Sequence, residues 1–239
     1  MKLAVYQSPT SDGNVEDALS RLSRMLMAAA QAGAEMLVAP ELYLPGYNRP
    51  DLHQKLAQDI NGPWCQRLAD MCRMAGCGVT LGWAERDGDA VYNSATCFGS
   101  DGQVLGHYRK LQLFGPMEAE SFTAGNRSSE VFDLGGMKTG LLICYDVEFP
   151  QLVEGLHAKG ADLILVPTAN PVGYEHVQHV LIPARAYDAG AVIAYANYCG
   201  DEAGLAFSGL SLIAGPDAAP LASAGKSEAL LIVDLPAVG

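Results

Sequence analysis

Apolar residues recur along this chain at two spacings, and together they predict alternating strands and helices. Leu3 to Gln7 reads as a short strand, and Asn14 then caps a helix whose apolar positions Val15, Ala18, Leu19, Leu22, Met25, Leu26 and Ala29 keep helical spacing until Gly33. Met36 to Ala39 is the next strand, ending at Pro40-Glu41. A strand, a crossover helix and a second strand make a parallel unit, and ligands gather at the carboxyl ends of such strands.

From Asp51 to Gly62 the chain is polar and reads as a loop with a helical turn. Pro63 opens a second helix with Trp64, Cys65, Leu68, Met71, Cys72 and Ala75 on its inner face, closed by Gly76. Gly78 to Glu85, Val91 to Phe98 and Val104 to Lys110 follow as an antiparallel meander around turns at Gly88 and Gly102. A loop from Leu111 to Arg127 is long enough to suggest function. Val131 to Leu134 and Lys138 to Ile143 form a hairpin that delivers Cys144, and Pro150 opens a helix ending at Gly160. The remaining expectations are strands at Leu163 to Val166, Ala191 to Tyr198, Leu210 to Ala214 and Ala229 to Val233, with a helix from Glu175 to Ala189 strained or restarted at Pro183.

An internal echo links the two halves. Gly33-Ala34-Glu35-Met36-Leu37-Val38-Ala39-Pro40 and Gly160-Ala161-Asp162-Leu163-Ile164-Leu165-Val166-Pro167 match in kind, position by position, as helix stop, acid, buried strand and terminal proline. Two similar half-sheets are implied rather than a tandem array. With 239 residues, about half of them hydrophobic, and no linker, one α/β domain over 1–239 is expected.

The net charge of -12 argues against nucleic acid or an anionic membrane as a partner. No apolar run reaches membrane-spanning length, and six cysteines without a framework spacing suit a reducing, cytoplasmic setting. No Cys-x-x-Cys pair occurs, and His176 and His179 have no third ligand in view, so neither a metal nor another cofactor is called for.

The chemistry centres on Gly140 to Pro150. Uncharged residues run into Cys144, Asp146 and Glu148 follow, and Pro150 starts a helix, which reads as buried strand, sharp turn and helix start. A thiol there would face the positive end of the following helix, favouring the thiolate. Alternatively Cys144 is a small buried hydrophobe. Glu41 and Lys110 likewise end predicted strands, where each is either functional or a solvated charge.

Taken together, Pro40-Glu41-Leu42-Tyr43-Leu44-Pro45-Gly46-Tyr47, Tyr108-Arg109-Lys110-Leu111-Gln112-Leu113-Phe114 and Leu142-Ile143-Cys144-Tyr145-Asp146-Val147-Glu148-Phe149-Pro150 resemble the nitrilase (carbon–nitrogen hydrolase) superfamily. The resemblance covers nearly the whole chain, including Pro167 to Asn170 and Ala196 to Gly200. It implies an αββα sandwich and a Glu41–Lys110–Cys144 triad. Glu41 would act as base, Cys144 as nucleophile, and Lys110 with the Tyr145 backbone N–H would hold the oxyanion. The family often carries a second glutamate seven residues before a glycine; Glu118, which stands so before Gly125, would hold the Lys110 ammonium.

Many family members that act on carboxylate-bearing substrates have an arginine where this chain has Glu148, an acid that would repel a carboxylate and attract an amine. The segments around Cys144 and Asn197 look most like the branch containing 5-aminovaleramidase, which implies a small aliphatic primary amide. Glu148 alternatively satisfies its own helix start. Tyr47, Asn170 and Asn197 border the motifs and are candidate pocket residues, or else a packed aromatic and two loop braces. Hydrolysis of an N-carbamoyl compound or a nitrile uses the same triad, and a catalytically silent binding protein on this fold is the alternative of another class. The resemblance also implies a homodimer or higher homo-oligomer, and family chains commonly run past the last strand to complete a partner's site, whereas this sequence stops at Gly239.

Overall fold

Alternation along the strands builds the architecture of this computed structural model, which describes residues 1–235. In β1 (Lys2–Pro9), Leu3 and Val5 face one side while Ala4 and Tyr6 face the other, and both sides are buried. The outer side receives α1 (Val15–Gln31), whose Leu19, Leu22 and Leu26 are fully covered, each contributing roughly 2 kcal/mol. The Asn14 side chain accepts the Asp17 N–H at 3.1 Å, as its capping role requires. The inner side packs on a second sheet, so two sheets lie face to face between helices.

The first half continues with β2 (Met36–Val38), parallel to β1, then α2 (Pro50–Leu56), α3 (Pro63–Ala75), β3 (Gly78–Asp87), β4 (Ala90–Phe98), β5 (Val104–Arg109) and α4 (Gly115–Ser121). The stretches 51–62 and 111–127, read above as loops, thus hold α2 and α4, both begun by a proline at the first or second helical position. Then come β6 (Phe132–Leu134), β7 (Met137–Leu141), a 3₁₀ turn (Cys144–Glu148), α5 (Pro150–Ala158), β8 (Leu163–Pro167), a π turn (Val177–Leu181), α6 (Ile182–Ala189) and β9 (Val192–Ala196). The helix expected over 175–189 is indeed restarted, with Pro183 in the first turn of α6.

The strand predicted over 191–198 is in fact two. β9 pairs with β8 in the second sheet, and after Asn197 the chain crosses into β10 (Tyr198–Glu202), which pairs parallel with β1 in the first sheet. β11 (Leu205–Ser208), β12 (Leu212–Ala214), β13 (Pro220–Ser223) and β14 (Ala229–Asp234) complete the chain; β11 and β13 carry no clear alternation and were not anticipated. The first sheet runs β11-β10-β1-β2-β3-β4-β5 with β14 also on β1, and the second runs β13-β12-β9-β8-β7-β6. Helices α1 and α3 cover the first sheet and α5 and α6 the second. The echoed segments become β2 and β8, one buried parallel strand in each sheet, and the β2 end at Glu41 meets the β8 end through the Glu41 N–H bond to Thr168 O at 3.3 Å.

Candidate active site

Four side chains from four elements meet between the carboxyl ends of the two sheets. Glu41 follows β2, Lys110 follows β5, Glu118 lies on α4, and Cys144 opens the 3₁₀ turn. Glu41, Lys110 and Glu118 are shut off from solvent, and Cys144 alone keeps 8 % exposure. Lys110 Nζ donates to Glu41 Oε1 at 2.5 Å and to Glu118 Oε1 at 2.7 Å. Asn93 Nδ2 adds a third contact, to Glu41 Oε1 at 2.8 Å, leaving Oε2 buried without a partner among the described residues. The cavity of about 450 Å³ lined by His107, Arg109 and Arg127 contains none of these residues, which are buried between the sheets.

Local backbone geometry aims the groups. Leu42 and Cys144 both adopt left-handed φ angles, 45° and 44°, a conformation that costs a non-glycine residue roughly 1–3 kcal/mol. Asp146 braces the Cys144 turn. Its carboxylate accepts from the Ile143 N–H at 3.2 Å, the Gln112 N–H at 2.8 Å and the Tyr108 hydroxyl at 3.0 Å, fastening the turn to residues two on either side of Lys110. On the far face of β4 and β5, Glu85 accepts from Ser94 Oγ at 2.5 Å, His107 Nε2 at 3.0 Å and Arg109 Nε at 2.9 Å. Ser94 follows Asn93 and Arg109 precedes Lys110, so one carboxylate anchors both strands beneath the site.

Burial dominates the electrostatics. It pushes the Glu41 carboxyl up, with Lys110 opposing, Glu118 adding to the rise and Asn93 opposing, to about 7. For Lys110, burial works against the charge, but Glu118 and Glu41 hold the ammonium well above its ordinary value. Burial and then the Glu41 charge push the Cys144 thiol well up, while Lys110, the Thr168 hydroxyl and the Ala169 amide act against them. Burial and the Glu41 charge thus oppose the thiolate that the helix start was expected to favour, so a base beside the sulfur has work to do. Burial likewise raises Asp146 to about 6.

The other expected residues fall into two groups. Tyr145 is part-exposed; its ring packs edge-on against Phe114 (5.2 Å) and Phe149 (4.9 Å), and as the second residue of the 3₁₀ turn its N–H has no partner within that turn. Tyr174 reaches Phe114 at 5.6 Å, so Phe114, Tyr145, Phe149 and Tyr174 form one aromatic cluster on the segments next to Cys144. Glu148 is half-buried, feels the charges of His176, Lys110 and Arg185, and has no hydrogen-bond partner for its carboxylate among the described residues. Arg185 binds the Val147 and Glu148 carbonyls instead, so Glu148 is not bracing its own helix start.

Tyr47 joins the charged cluster, whereas Asn170 and Asn197 make their hydrogen bonds to neighbouring loops and strands. The Tyr47 hydroxyl donates to Glu118 Oε1 at 2.8 Å. Asn197 Oδ1 accepts the Asn170 N–H at 2.8 Å, and its Nδ2 donates to Asn170 O at 3.1 Å and Gly209 O at 2.8 Å, clasping the chain where it changes sheets. Asn170 Nδ2 donates to Tyr174 O at 3.0 Å and Gln178 Oε1 at 2.8 Å, which holds the loop bearing Tyr174. Sequence reasoning missed Asn93, Thr168 and Phe114 as parts of the site. Asn93 and Thr168 carry a signal only in hindsight, as polar residues in runs that pack as strand interiors or strand ends.

The carbon–nitrogen hydrolase family model matches residues 2–238. A hydrolase encoded in the pqqF 5' region of Pseudomonas protegens is 42% identical over 97% of this chain and 81% of its own length. An (R)-stereoselective amidase from Pseudomonas sp. is 33% identical over 98% of this chain and 85% of its own. A crystal structure of an amidase from Nesterenkonia sp. superposes with a TM-score of 0.95 at 35% identity, covering 99% of this chain and 90% of that one. The amidase from Nesterenkonia sp. AN1 has also been captured, as a glutamate-to-glutamine variant, with acrylamide added at its active site cysteine and, as a cysteine-to-alanine variant, with butyramide.

Proposed function

We propose, from the premise that this chain belongs to the carbon–nitrogen hydrolase family and is an amidase of it, that it hydrolyses small aliphatic primary amides through a thioester on Cys144. The observation that carries the reading is the fully buried Lys110 ammonium between Glu41 and Glu118, in the same cluster as the Cys144 thiol. The Cys144 S–H bond breaks, its proton passes to Glu41, and the sulfur pair bonds the amide carbon while the carbonyl pair moves onto oxygen. Lys110 and the Tyr145 N–H stabilise that oxyanion. Glu41 then gives its proton to nitrogen, the C–N bond breaks and ammonia leaves. Water then loses a proton to Glu41 as its oxygen attacks the thioester carbon; the C–S bond breaks, the carboxylic acid leaves, and Glu41 returns the proton to the Cys144 sulfur.

The burial of the charged cluster and of Cys144, next to an aromatic cluster, favours a short acyl chain. The unpartnered Glu148 carboxylate favours a substrate bearing an amine at its far end over one bearing a carboxylate, as in 5-aminovaleramide. Ammonia release from 5-aminovaleramide compared with a carboxylate-bearing ω-amide of similar length tests this; strong preference for the acid refutes the Glu148 argument. Release of carbon dioxide along with ammonia would instead mark a carbamoyl substrate.

A further inference from the structure

The two oxygens of Glu41 live in unequal surroundings. Oε1 accepts from Lys110 Nζ and from Asn93 Nδ2, whereas Oε2 is buried and has no donor among the described residues. Asn93 stands on β4, and its backbone carbonyl also accepts the Lys110 N–H at 2.9 Å. One residue therefore grips the base with its side chain and the lysine with its main chain. Its own Oδ1 is buried and unpartnered, an arrangement that packing or stability alone does not reward. Below the sheet, the Glu85 contacts to Ser94 and Arg109 keep Asn93 and Lys110 in register.

We infer that Asn93 is a positioning residue that fixes the rotation of the Glu41 carboxylate, so that Oε2 is the oxygen that receives the Cys144 proton. The inference rests on the reading of Glu41 as base. Two donors saturate Oε1, one of them cationic, so a proton arriving there must displace a hydrogen bond, whereas Oε2 is bare. The Asn93 donor also favours the ionised carboxylate against its burial. The titratable groups that act on or feel this carboxylate are Lys110 beyond β5, Glu118 on α4, Cys144 in the 3₁₀ turn, Tyr47 beyond β2, Tyr195 on β9 and Tyr198 on β10.

The test is the pH profile of kcat/KM for butyramide in Asn93→Ala and Asn93→Asp, with Glu41→Gln alongside. Asn93→Ala changes no charge, so a moved profile reports the lost hydrogen bond itself. We expect its acidic limb to rise by about half to one pH unit, kcat to fall about tenfold, and KM to stay nearly constant. Asn93→Asp keeps the shape, so it serves if the alanine variant folds poorly; its added carboxylate must move the limb further up. Acidic limbs that stay at the wild-type position in folded variants overturn the inference. Should Glu41→Gln be inactive while those limbs stay put, only the role of Asn93 falls; should it turn over at the wild-type rate, the base assignment falls and takes Asn93 with it.

Discussion

Changing Glu118 to Gln removes one negative charge from a sealed cluster of one ammonium and two carboxylates while nearly preserving volume. In the native site Glu118 Oε1 accepts from Lys110 at 2.7 Å and Tyr47 at 2.8 Å, and Oε2 accepts the Phe114 N–H at 3.0 Å. Glutamine has one acceptor oxygen. If it stays with Lys110 and Tyr47, its amide nitrogen confronts the Phe114 N–H, donor against donor. Weakening a hydrogen bond to a charged group costs about 1.5–3 kcal/mol. If that loss falls on the transition state, kcat/KM drops about 10- to 150-fold. A second effect has a definite sign. The Glu118 charge helps hold Glu41 at about 7, so its removal lets Glu41 ionise at lower pH and moves the acidic limb down. Ammonia release from butyramide between about pH 5 and 9 reads both quantities, and thermal unfolding checks that the variant is folded. Glu118→Ala should also fold and lose much of its turnover. Wild-type turnover, or an acidic limb that moves up, refutes the reasoning and removes Glu118 from the mechanism.

Three further outcomes are expected. In the wild type, kcat/KM should rise through an apparent pKa of about 7 as Glu41 ionises and should not fall near pH 9, because burial and Glu41 push the Cys144 thiol above its ordinary value of 9.0; an alkaline loss at that value contradicts the account. A methyl group at Gly82 would lie 2.4 Å from Leu42 N and 2.5 Å from Glu41 Cα, both backbone atoms, so Gly82→Ala should cost about 1–3 kcal/mol in urea unfolding and depress kcat together with stability. Glu85 is held at about 2, burial being outweighed by His107, Arg109 and Ser94, so its stabilisation is fully present above the ordinary 4.5 and is lost as pH falls toward 2. Glu85→Gln should therefore be less stable by on the order of 2–3 kcal/mol at pH 7, with the gap narrowing near pH 3; an equal gap at both pH values contradicts that linkage.

Much of this site was legible because its chemistry sits where secondary structure ends. Glu41, Lys110 and Cys144 each stand at the end of a predicted strand, and a charged or reactive residue at such a boundary is visible without coordinates. Glu118 came from the family resemblance, which places a second glutamate seven residues before a glycine; that glycine, Gly125, presses on the Arg109 carbonyl, 2.4 Å from where a Cβ would stand, and so has no room for a side chain. The helix that carries Glu118 was missed because it is only seven residues long, too short for its periodicity to emerge. Asn93 was hidden for another reason. It lies within an alternating strand, and nothing in a single sequence tells whether a polar residue there faces water or a catalytic carboxylate. The break at Asn197 was equally silent, since the residues on both sides are apolar and each satisfies strand spacing in a different sheet. The protonation of Cys144 depends on how much water the closed sandwich excludes and on the nearness of Glu41, which are properties of the assembled fold and not of the turn that carries the thiol.

The central claim is that Cys144 becomes covalently acylated by the substrate with Glu41 as its base. Intact-protein and peptide mass spectrometry after rapid acid quench of the enzyme with butyramide measures it most directly. The account predicts a mass increase equal to the amide less ammonia, confined to the peptide containing Cys144 and absent from both Cys144→Ala and Glu41→Gln. An acyl group on another residue, or ammonia release at the wild-type rate by Cys144→Ala, would contradict it.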